Sequence, residues 1–72
     1  MGRQIRFRDP GTIIMVQRRS RFVGKFRLPW IGVCRVHVED GKALIFHKRS
    51  IALVDWFQWC RFRRRHKLEA IS

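Results

Sequence analysis

Residues 34–47 constrain the fold most. Cys34, Val36 and Val38 alternate with Arg35, His37 and Glu39, then comes Glu39-Asp40-Gly41-Lys42, and residues 43–47 return. Alternation of apolar and polar residues is the pattern of a half-buried strand. Asp-Gly tolerates the positive φ that a tight hairpin turn needs. An antiparallel hairpin is predicted here, and the flanking segments must be compatible with it.

Upstream, residues 4–8 alternate with a period of two, and residues 9–12 (Asp-Pro-Gly-Thr) fit a type II turn. Residues 12–17 are β-branched and apolar, which predicts a buried strand. In residues 21–28, Phe22, Gly24, Phe26 and Leu28 alternate with Arg21, Val23, Lys25 and Arg27, and Pro29 ends the segment. Downstream the period changes. Leu53, Trp56, Phe57 and Cys60 fall at i, i+3, i+4 and i+7, and Ser50 is a good N-cap, so a helix is predicted over 50–65. Its apolar face is expected to pack on Cys34, Val36 and Val38.

The expected fold class is α+β, mainly β: one domain over residues 1–72, with four or five short antiparallel strands and one C-terminal helix. A partly closed barrel of the oligonucleotide-binding or Src-homology-3 type is the first expectation, and an open sheet with a packed helix is the alternative. At 72 residues, folding buries only roughly 60% of the unfolded chain's surface. Little room is left for a deep pocket.

Charge narrows the function. Lys and Arg number 17 against 5 Asp and Glu, a formal net charge of +12. Such an excess destabilises a compact state through self-repulsion unless a partner neutralises it. Thirteen of the cations are Arg, whose planar fork matches phosphate oxygens and stacks on bases. The expected strands contain no acid. The outward positions Arg6, Arg8, Arg21, Lys25, Arg27 and Arg35 therefore predict a positive sheet face, and Arg61, Arg63, Arg64, Arg65 and Lys67 crowd the helix end.

Catalysis finds little support. Glu39, Asp40 and Asp9 sit in turns, Asp55 is a lone carboxylate and Glu69 is near the end; acid–base catalysis with paired carboxylates needs two of them in one cleft. The glycines are too scattered for a phosphate loop. Cys34, His37, His47 and Cys60 lack zinc-site spacing, and Cys34 and His37 point to opposite faces of a strand. The two cysteines read as small buried hydrophobes, with pairing left open. No catalytic residue, metal or cofactor is expected.

Aromatics supply the second clue. Phe7, Phe22, Phe26, Trp56 and Phe57 read as core. Trp59 reads as edge of the helix stripe, while Trp30 and Phe62 are candidate stacking platforms among cations. Basic grooves with exposed aromatics bind single-stranded nucleic acid. The chain reads as a non-enzymatic nucleic-acid-binding protein, RNA or single-stranded DNA favoured over duplex because only one helix is visible. A ribonucleoprotein component is one form of this. The alternative is a basic module occupying an acidic surface of a partner protein. No apolar run reaches the roughly 18 residues of a membrane-spanning helix, membrane-surface binding is disfavoured, and a cytoplasmic setting is the default.

Overall fold

The computed structural model describes residues 5–9 and 19–71. The strand expected at 12–17 and the turn residues 10–12 lie outside the described residues. Among the described residues, four strands, β1 (Arg21–Leu28), β2 (Gly32–Glu39), β3 (Lys42–His47) and β4 (Ser50–Asp55), are followed by a C-terminal helix, α1 (Trp56–Arg65). The strands pair in chain order as an antiparallel meander. The fold is mainly β in the α+β class. The sheet is open, so the alternative of an open sheet with a packed helix holds over the barrel.

The hairpin around Asp40 and Gly41 forms as its residues dictate. Both take positive φ, 53° and 74°, and Glu39 faces Lys42 across the ladder. The next turn, Lys48-Arg49, carries no glycine or asparagine, yet Lys48 sits at φ 56° and His47 faces Ser50. This turn corrects the expected helix start. Ser50 begins a strand, and the helix begins after Asp55, whose carboxylate accepts a hydrogen bond from the Phe57 N–H at 3.0 Å. Strand β4 wins residues 50–55 because Ile51, Ala52 and Val54 cover Phe46, Ile45 and Ala43 of β3. Two residues placed in the expected helix stripe therefore fall outside the core: Leu53 is half exposed and Phe57 is 76% exposed.

The main core lies on the helix side of the sheet. Phe26, Leu28, Cys34, Val36, Ala43, Ile45, Ala52 and Val54 surround a fully buried Trp59, with Trp56, Cys60 and Phe62 half-buried against them. The helix end closes with its Lys67 N–H on the Arg64 carbonyl and its Leu68 N–H on the Arg63 carbonyl, a Schellman pair in which Lys67 takes the left-handed position at φ 54°. The chain then turns back along β1, where the Ile71 N–H reaches the Lys25 carbonyl at 2.8 Å. Gly24 lies beside this return: a Cβ there would make ordinary contact with Ala70 at 3.5 Å and a tighter one with the Phe26 ring at 3.3 Å. At the other edge Arg8 and Ile51 exchange two backbone hydrogen bonds, and Ile5 enters the core. Each free sheet edge thus receives a short backbone segment, which limits edge-to-edge pairing.

The opposite face is also apolar, over half its width. Leu44, Phe46 and Ile51 form a second buried cluster there. The expected positive face is confined to the β1–β2 half, where Lys25, Arg27 and Arg35 share it with exposed Phe22 and Val33.

Candidate polyanion interface

Meander topology decides which loops share an end. The β1–β2 and β3–β4 turns lie together, separated by two strand spacings, about 10 Å. The β2–β3 turn lies at the opposite end. Helix α1 starts at that opposite end, with the Trp56 N–H on the Gly41 carbonyl. It runs back, so that His66 meets Trp30 edge-on at 6.5 Å. Trp30, Lys48, Arg49 and the basic helix end are thereby gathered at one pole. Glu39, Asp40 and Asp55, three of the five acids, are gathered at the other, as the Glu39–Lys42 and Lys42–Asp55 register requires. The charge excess is polarised along the strands.

Trp30 is the outlying residue of the basic pole. Leu28 to Ile31 form a turn closed by the Ile31 N–H on the Leu28 carbonyl at 3.3 Å. Pro29 suits the second position of such a turn, and the third calls for positive φ, where glycine is the easy choice. Trp30 occupies it at φ 64° and is 82% exposed. Lys48 and Lys67 are the other two side chains held in the left-handed region at this pole. Each such residue costs about 1–2 kcal/mol that glycine avoids. The large aromatic and the two ammonium groups at these positions add little or nothing to the core.

The remaining expected residues divide. Arg61, Arg64 and Arg65 are exposed on the outer helix face, and Arg64 and Lys67 line an open groove of about 580 Å³ with Cys60, Arg63, Leu68 and Glu69. Arg63 is exposed but tied down: its guanidinium lies over the Phe26 ring at 4.8 Å, and its Nε–H donates to the Leu68 carbonyl. Phe62 is not a free platform. It is half-buried, stacked on Trp59 at 6.2 Å and against His66 at 4.4 Å. On the sheet, Lys25 faces Arg35 directly across the β1–β2 ladder, with Arg27 beside them, all exposed. Like charges opposite each other in a ladder are destabilising. Arg21 leaves this group, since it pairs with Val38 beyond a bulge and alternation sends it to the helix side. Arg6 and Arg8 are exposed at the β4 edge.

Two titratable side chains of the sheet, Cys34 and His37, are sequestered. Cys34 is buried and its thiol is pushed up to about 11 by loss of solvent, which leaves it unreactive near neutral pH. Cys34 and Cys60 are both free thiols. His37 is buried between Phe22 and Phe46, with Ser20 Oγ 3.0 Å from its Nδ1. Burial, then the neighbouring Arg35, lowers its pKa. Among the described residues no three His, Cys, Asp or Glu side chains come together as metal ligands, and no helix is long and apolar enough to cross a membrane.

Sequence reasoning missed Lys48 and Arg49. Their turn carries none of the glycine or asparagine that marks a two-residue hairpin, so only the pairing of β3 with β4 reveals that they share a pole with Trp30. Compared with family models, curated proteins and solved structures, the chain matches none.

Proposed function

We propose that this protein is a non-catalytic nucleic-acid-binding domain whose contact surface is the basic pole. Trp30 serves as a stacking platform. Lys48, Arg49, Arg64, Arg65 and Lys67 neutralise phosphates around it. The observation that carries this reading is the state of Trp30: almost wholly exposed, in a backbone conformation that disfavours it, beside the cationic end of α1. A residue held against its conformational preference without burial is explained by what it touches outside the fold. Exposed aromatics among cations bind unpaired bases, each stacked base contributing about 1–3 kcal/mol. The charge polarity supports the same reading, because a one-sided field steers a polyanion to one end.

Fluorescence anisotropy of a labelled single-stranded oligonucleotide at about 50 mM salt tests it, since low salt strengthens phosphate contacts. The wild-type protein is expected to bind, and the R64Q/R65Q/K67Q variant to bind more weakly. If the wild type binds no single strand, RNA or DNA, the reading is wrong, and an acidic protein partner becomes the better explanation of the charge.

A further inference from the structure

We infer that a second aromatic, Phe22, extends the interface along the outer face of β1, so that the ligand is an extended single strand rather than a duplex; this rests on the nucleic-acid reading above. By simple alternation Phe22 belongs with Gly24, Phe26 and Leu28 in the core. The register breaks between Phe22 and Gly24, where Phe22 pairs with His37 and Gly24 with Val36. One extra residue, Val23, turns Phe22 onto the opposite face, the face of Lys25, Arg27 and Arg35. Bulges re-aim a side chain in this way. Phe22 is left 54% exposed.

Its ring is not loose. It stands edge-on to His37 at 5.4 Å, and His37 stands edge-on to Phe46 at 4.9 Å, so a buried imidazole fixes the exposed ring's angle. The result is a row on the face of β1 away from the helix: Phe22, then Lys25 facing Arg35, then Arg27; it leads to the turn, where Trp30 stands edge-on to His66 at the helix end. Eight strand residues span about 26 Å. Lys25 and Arg27 recur on one face every two residues, about 6.6 Å, a spacing that the phosphates of an extended strand can follow. The paired cations Lys25 and Arg35 repel each other until an anion lies between them. An exposed ring at one end of a cationic row, with a second exposed ring in the turn beyond its other end, fits a chain whose bases are free to stack. A duplex keeps its base faces covered and meets only the cations.

The test compares a single strand of about twelve nucleotides with its duplex, a length within the usual range for one small β domain. Phe22→Ala is expected to weaken the single strand by at least about 5-fold, the low end of one stacked base, and to leave duplex affinity unchanged; Phe22→Trp is expected to restore single-strand binding. Ultraviolet cross-linking of the wild-type complex, mapped by mass spectrometry, gives a readout independent of any variant's folding. It is expected to mark Phe22 as well as Trp30. Cross-links at Trp30 alone, or single-strand and duplex affinities reduced equally by Phe22→Ala, would overturn the inference while leaving the basic pole intact. A wild type that binds neither strand form removes the nucleic-acid reading itself.

Discussion

Replacing Trp30 with glycine separates function from folding. On the folding side the terms nearly cancel. Relief of the left-handed backbone at φ 64° is worth about 1–2 kcal/mol. Glycine's greater freedom in the unfolded chain takes back about 0.5–1 kcal/mol. Less than a fifth of the Trp30 surface is covered, about 45 Å² of an area near 250 Å². At about 25 cal/mol per Å² that contributes about 1 kcal/mol, an upper bound because unfolded chains are themselves partly compact. Trp30→Gly therefore stays within about 1 kcal/mol of the wild type, and Tm moves by less than about 8 °C for a domain of this size. On the binding side one stacked base is lost, so affinity for a single-stranded oligonucleotide falls by about 5-fold to 150-fold. Thermal melting by circular dichroism and anisotropy titration measure the two quantities on one preparation. A large fall in Tm would mean that Trp30 packs the turn rather than serving a ligand. Unchanged affinity would remove Trp30 from the interface.

Other expectations concern the fold that carries the pole. Asp55→Ala removes the cap on the Phe57 N–H and is expected to cost about 1 kcal/mol, read from the denaturation midpoint. Trp59→Ala is expected to cost about 3–5 kcal/mol and abolish cooperative unfolding. Trp59→Phe is expected to cost under about 2 kcal/mol, because the buried Trp59 Nε1 has no hydrogen-bond partner among the described residues and its removal relieves an unmet donor. Stability is also pH-dependent. His37 has a lowered pKa in the folded state, so the unfolded chain takes up its proton first. The associated stability is fully present above the unfolded value near 6.5 and is lost as pH falls through the lowered folded value. Tm is expected to drop below about pH 6.5, and H37Q is expected to flatten that part of the profile. An unchanged acid profile in H37Q would place the titration elsewhere.

What could be read from sequence followed the strength of the local signals. β1 and the β2–β3 hairpin were legible because alternation, Pro29 and Asp40-Gly41 agree with one another. β4 was not. Its turn uses Lys48 where a glycine would have announced it, and Leu53, Trp56, Phe57 and Cys60 imitate a helical stripe across the boundary at Asp55. Alternation also misplaced Phe22, since a one-residue bulge reverses the face without any marker in composition. The basic helix end was visible as a run of arginines. Its meeting with Trp30, Lys48 and Arg49 comes only from the meander placing alternate turns at one end. Tertiary packing also reassigned Phe62 and Arg63, which are adjacent in a run that reads as solvent-facing but lie against Trp59 and Phe26.

If the basic pole neutralises nucleic-acid phosphates, single-strand binding must depend on salt. The logarithm of affinity is expected to fall linearly with the logarithm of salt, by about 0.7 per phosphate contacted. The variant K48Q/R49Q/R64Q/R65Q is expected to show a slope shallower by roughly that amount for each contact removed. A wild-type slope near zero, or the same slope in the variant, would contradict phosphate neutralisation by the pole.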